Sequence, residues 1–151
     1  MNSGNSWTSA VALYGAVVAT ASLIVAILAY RAGGPRIKPS TWLRPATGED
    51  AADLVIGISN RGRGEGTITD IYLNVPGPHS IMLHQPDDLR GPELPCRLPA
   101  NASLAWTVDA NWLLQEARRN GWPHQVRAVV VLPGGNQVWE SIHRYTNLLS
   151  G

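Results

Sequence analysis

The chain has 151 residues, 44% of them hydrophobic and 15% charged, with 12 basic and 11 acidic side chains for a net charge of +1. That balance excludes a strongly basic nucleic-acid binder, which needs a cationic face to neutralise phosphates. A single cysteine, Cys96, excludes an internal disulfide framework.

Taken from the amino terminus, no side chain is charged before Arg31, and residues 8–30 (TSAVALYGAVVATASLIVAILAY) form one apolar run. At ~1.5 Å per residue, a helix of that length covers about 34 Å, enough to cross a hydrocarbon core of roughly 30 Å. Trp7 and Tyr30 fall at its two ends, where amphipathic rings anchor to the membrane interface. The opening MNSGNSW lacks the cationic start of a signal peptide, and the apolar run exceeds the usual length of one, so a retained anchor is expected. Cleavage near Ala29 or Ala32 is the alternative. Within the run, Thr8, Ala12, Gly15, Ala19, Ser22, Ala26 and Ala29 recur at alternating spacings of four and three, a small-residue seam suited to helix pairing. Gly15, Ala19, Ser22 and Ala26 are its centre, and a homodimer through the membrane helix is the partner it implies. The opposite reading is compositional, because such a run is rich in small residues throughout.

Arg31, Arg36, Lys38 and Arg44 follow with no acid among them, whereas residues 45–151 carry eight basic and eleven acidic side chains. Short cationic flanks stay in the cytoplasm, so the expected topology is amino terminus outside and carboxyl-terminal domain inside. The lone cysteine agrees with a reducing compartment. The same four cations suit an anionic lipid surface. The expected organisation is a tail over 1–7, a transmembrane helix over 8–30, a basic juxtamembrane linker over 31–35 and a domain over 36–151.

Beyond Gly33-Gly34-Pro35 the hydrophobic period changes from helical to alternating. Strands are expected over 36–43, 53–59, 67–75, 79–84, 102–108, 126–132 and 137–145. Leu54, Ile56 and Ile58 share one face, as do Ile71, Leu73 and Val75, and the apolar 126–132 belongs in the middle of a sheet. Trp106 faces inward, and Trp139 and Ile142 point to opposite sides. NRGRGEG (60–66) and PGGN (133–136) read as hairpin turns. One helix is expected over WLLQEARRN (112–120), capped by Asp109 or Asn111 and stopped at Gly121. Residues 84–101, with four prolines, read as an irregular crossover. The fold class is one transmembrane helix followed by an antiparallel immunoglobulin-like β-sandwich of about seven strands with one short helix.

Chemistry-bearing patterns are sparse. NRGRGEG lacks the phosphate-loop spacing, and a strand rather than a helix follows it. His79, His84, His124 and His143 show no metal-ligand spacing, with His84, Asp87 and Asp88 the nearest approach to a cluster. Cys96 lies among prolines with no histidine close by in sequence, and no GxSxG is present. No cofactor is expected, and a non-enzymatic role is. Six tryptophans in a chain without phenylalanine are harder to bury in one small domain. Trp112 and Trp122 with Arg118 and Arg119 form the expected partner surface, since Trp and Arg recur in binding hot spots. The alternative is that both rings cover an open end of the sandwich.

The segments GPRIKP, LVIGISNRGRGEGTITDIYL and VRAVVVLPGGNQVWES resemble those of small actinobacterial and actinophage single-pass membrane proteins. The whole chain's 11:1 preference for Arg over Lys fits a GC-rich genome. The resemblance implies an immunoglobulin-like domain carried on a membrane helix and brings no catalytic residue with it. The function expected is a protein-interaction module at the bilayer, in superinfection exclusion or as an envelope component. A lysis or permeability factor acting through the helix itself is the alternative.

Overall fold

The computed structural model of the protein describes residues 4–45, 52–77, 80–83, 89–141 and 145–149. They fall into two compact units, 1–34 and 35–151.

The first unit is one helix, α1 (Gly4–Gly33). Its segment Ala10–Tyr30 is long and apolar enough to cross a membrane, and none of it is buried within the protein. Its polar side chains are compatible with lipid: the Thr20 hydroxyl donates back to the Ala16 carbonyl at 2.8 Å, so it needs no water. The Gly33-Gly34-Pro35 sequence then ends the helix by removing both side-chain support and a backbone donor.

The second unit is β-rich. In chain order it comprises β1 (Ile37–Arg44), β2 (Asp53–Asn60), β3 (Gly66–Ile68), β4 (Asp70–Asn74), β5 (Ser80–Met82), β6 (Cys96–Leu98), β7 (Ser103–Asp109), α2 (Ala110–Asn120), β8 (Gln125–Val131), β9 (Gln137–Trp139) and β10 (Thr146–Asn147). All pairings are antiparallel. One sheet runs β1-β2-β7, a second β10-β8-β4-β5 with β9 also on β8, and β3 pairs β6. The inward residues form one apolar cluster: Leu54, Ile56 and Ile58 from β2, Trp106 and Val108 from β7, Ile71 and Leu73 from β4, Val126, Ala128 and Val130 from β8. The alternation read from the sequence therefore places these faces correctly, and 126–132 is central as expected.

Three expectations are corrected. The run 67–75 is two strands, because the chain changes sheets at Thr69; its N–H and hydroxyl both reach the Val131 carbonyl at 2.9 Å. The described part of the crossover, 89–101, is less irregular than its prolines imply, and 84–88 lie outside the described residues. It contributes β6, a bridge from Arg90 to Thr107, and the Pro92 carbonyl that accepts the buried Trp106 indole N–H at 2.8 Å. The run 137–145 does not continue as one strand past Trp139. Ile142, like the histidines 79, 84 and 143, lies outside the described residues.

The break after β9 has an electrostatic cause. Glu140 is 3% exposed. Its backbone N–H donates to the Ala128 carbonyl at 3.0 Å, and its carboxylate accepts the Ala128 N–H at 3.0 Å. One residue thus supplies both halves of a ladder rung on β8. The same carboxylate accepts the Thr41 N–H and hydroxyl, each at 2.7 Å, from the outer edge of β1. Thr146 Oγ1 completes the cluster, 2.7 Å from Thr41 Oγ1 and 3.0 Å from the Thr41 carbonyl. Since the Thr41 N–H points away from β2, so does the nitrogen of Pro39 two residues earlier, and an edge is where a strand tolerates proline.

Asn60 plays the matching part at the 60–66 turn. It is 1% exposed. Its Oδ1 accepts the N–H groups of Arg36 and Gly62 at 3.0 Å, and its Nδ2 lies 2.7–3.2 Å from the carbonyls of Gly64, Leu98 and Pro99.

Replacing Glu140 by alanine strands two inward backbone donors, and a loss of about 3 kcal/mol or more is expected. Urea unfolding of the detergent-solubilised chain, followed by tryptophan fluorescence, measures it. In the same assay Asn60→Asp, which keeps the acceptor but loses every donor, should cost about 2 kcal/mol or more. Asn60→Ala should cost more than Asn60→Asp.

Candidate interaction surface

The helix α2 forms as its sequence dictates. The Asp109 carboxylate accepts the N–H groups of Asn111 and Trp112 at 2.8 and 3.3 Å. Gly121 takes φ 65°, and the Trp122 N–H returns to the Ala117 carbonyl at 2.8 Å. That geometry turns Trp112 and Trp122 onto the core, where both rings are half-buried against the apolar cluster. Arg118 and Arg119 are exposed in the last turn of α2. Both indoles lie over the domain interior.

The remaining sequence candidates disperse. In α1, Gly15, Ala19, Ser22 and Ala26 lie on the exposed surface of the helix, and nothing of the chain lies within 4 Å of a side chain placed at Gly15. Arg36 and Lys38 are exposed, Arg44 is ion-paired with Asp53, and the Arg31 side chain lies outside the described residues. The N–H of Gly62 in the glycine-rich turn is taken by Asn60 rather than offered to a ligand. Cys96 is half-buried, and burial pushes its thiol up from the ordinary value, away from the reactive thiolate. Among the described residues, no three His, Cys, Asp or Glu side chains are placed to hold a metal ion.

A different cluster lies on the outer face of the β8 sheet. Register places Tyr72 of β4 beside Val129 of β8, and Val129 beside Trp139 of β9, with Met82 of β5 on the far side of Tyr72. The Tyr72 and Trp139 rings meet edge to face at 6.2 Å and 87°. The Arg127 guanidinium carbon lies 4.5 Å from the Trp139 ring centre and 5.2 Å from that of Tyr145. Its Nε is buried without a hydrogen-bond partner, and no carboxylate among the described residues pairs with it. Cation–π attraction of about 0.5–2 kcal/mol per ring holds the side chain flat instead. Trp139 and Met82 stay 42% and 44% exposed, while Tyr72 and Val129 beneath them are buried. A half-exposed indole beside a cation, with a thioether farther along the same face, can take up an apolar and anionic partner surface.

The signal for this cluster is present in the chain. Arg127 interrupts an otherwise apolar strand, and counting back across the PGGN turn brings Trp139 opposite Val129. By itself the interruption singles out no site, because one arginine in a strand ordinarily marks its solvent side.

Burial pushes the Tyr72 phenol above the ordinary range of a tyrosine, with Arg127 pulling in the opposite sense. The folded state therefore holds this proton more tightly than the unfolded chain does. Its contribution to stability is intact below the unfolded value and is lost as pH rises through the raised folded one. Urea midpoints measured from about pH 9 to about pH 11 should fall more steeply for the natural chain than for Tyr72→Phe. Equal slopes would show that the phenol is not held this way.

No protein-family model matches this chain, and no curated protein matches it.

Proposed function

We propose that the protein is a non-enzymatic interaction module held at the bilayer by α1. The observation that carries this reading is the apolar segment Ala10–Tyr30, none of which is buried by the rest of the chain. A helix of that composition left in water would expose a large continuous apolar surface, whereas lipid satisfies it without any protein partner. Confinement to a membrane raises the effective concentration of the attached domain toward other membrane-associated proteins, so a modest contact surface suffices.

The domain, in this reading, is an immunoglobulin-like sandwich, and its partner surface is the Trp139–Arg127 face, with Trp112, Trp122, Arg118 and Arg119 as a second patch. The polar groups that chemistry would use are largely engaged in structure: Glu140, Asn60 and Asp109 all bind backbone. The likeness to small actinobacterial and actinophage membrane proteins supports interference with phage entry, or service as an envelope component. Pairing through Gly15, Ala19, Ser22 and Ala26 would double the domains and add avidity. The cations beside α1 support a cytoplasmic domain.

The test is a photocrosslinking amino acid at position 139 of the full chain in membranes, with exposed position 97 on β6 as control. A discrete adduct from 139 that is absent from 97, and lost on deletion of residues 1–32, is expected. An adduct that survives that deletion undiminished would reject the anchoring mechanism. Absence of any adduct from 139 would reject this face as the partner surface.

A further inference from the structure

The outer face of β1-β2-β7 is distinct from the Trp139 face and carries a different chemistry. Alternation along β1 turns Lys38, Ser40, Trp42 and Arg44 to one side, with Pro39 buried on the other. Register adds Ser59 and Ser103 beside Lys38, then Gly57 and Ala105 beside Ser40, then Val55 and Thr107 beside Trp42. Trp42 is 46% exposed. Its ring lies across Gly57, where a Cβ would fall 2.6 Å from the indole, so glycine is what lets the ring settle onto the sheet. Between the indole and Ser40, Ser59 and Ser103 is a shallow depression of about 230 Å³.

The charges on this face are graded. At one end Arg44 is neutralised by Asp53, and Asp109 is committed to capping α2. At the other end the Lys38 ammonium has no carboxylate partner among the described residues, and hydroxyls surround it. An exposed indole, a free ammonium and small hydroxyl side chains together match the interfacial layer of an anionic bilayer. Indoles partition there, and lysines gain from the negative surface potential. The chain itself favours this occupant over a soluble one. Lys38 follows Tyr30 by eight residues, whose reach is at most about 28 Å even when fully extended.

We propose that this sheet face, through Trp42 and Lys38, binds the surface of an anionic bilayer. The proposal rests on the membrane anchoring argued above and adds the docking face to it. Ser103 then meets headgroup oxygens, the Ser40 and Ser59 hydroxyls being donated to the Gly57 and Lys38 carbonyls, while the indole lies at the depth of the glycerol layer. Arg44, spent on Asp53, contributes little.

The test uses the full chain with Cys96→Ser and a nitroxide at Ser103→Cys, inserted as one copy per lipid nanodisc. A label at Ser80→Cys, exposed on β5 of the other sheet, is the control. Discs contain phosphatidylcholine alone or phosphatidylcholine with phosphatidylglycerol. In anionic discs the Ser103 label should be shielded from a water-soluble nickel relaxant, and the Ser80 label should not. Lys38→Glu should lower the docked-to-undocked ratio about fivefold or more, as loss of one surface cation predicts. Trp42→Ala should remove the shielding altogether. Since Lys38 is exposed and unpaired, its variant remains informative even if Trp42→Ala unfolds. A Ser103 label as accessible as the Ser80 label would overturn the proposal. Shielding indifferent to both lipid charge and Lys38→Glu would overturn it too. Every chain in the discs is already inserted, so either result leaves the anchor reading intact.

Discussion

Two sheets can share an apolar core and still leave backbone donors stranded along the edges where they meet. In this domain the Glu140 carboxylate takes them. It accepts from Ala128 on β8 and twice from Thr41 on β1, so one buried charge joins the edges of both sheets. No backbone pairing links β1 to β8, and β9 and β10 leave the middle of the β8 edge open between them. An apolar residue at 140 would fill the space and leave two inward N–H groups unsatisfied, which costs more than any packing gained. A carboxylate with three donors is an economical solution, because its four lone-pair sites accept from both strands at once.

The same logic extends to two other polar residues. Asn60 ties the start of β1, the 60–66 turn and the end of β6 through one amide, and Asp109 closes the start of α2. Glu140, Asn60 and Asp109 are thereby engaged with the backbone. The half-exposed indoles at 42 and 139 each share a sheet face with a cation that has no acidic partner among the described residues. Trp139 lies with Arg127 on one sheet, and Trp42 shares a face with Lys38 on the other.

These two faces differ in how the cation is held. Arg127 is pressed flat against two rings and presents a fixed planar edge, which suits a shaped partner. Lys38 is a mobile, hydrated point charge on an open strand, which suits a diffuse surface. The proposed division of labour, protein on one side and lipid on the other, follows from that contrast.

The sequence by itself determined the elements whose causes are local. An uncharged apolar run of 23 residues specifies α1, alternation specifies the inward faces of β2, β4 and β8, and Asp109 with Gly121 specifies the ends of α2. Tertiary structure decided whatever depends on two distant segments meeting. That Thr69 changes sheets, that 96–98 becomes a strand, and that Glu140 lies 99 residues from its Thr41 partner are all outcomes of packing. The site was legible only in part for the same reason. Tryptophan count pointed to an aromatic surface, but whether an indole covers the core, as at 112 and 122, or stands open on a sheet face, as at 139 and 42, is set by which strand lies next to it. Period and composition report a residue's own face, and register across a sheet is information that no single segment contains.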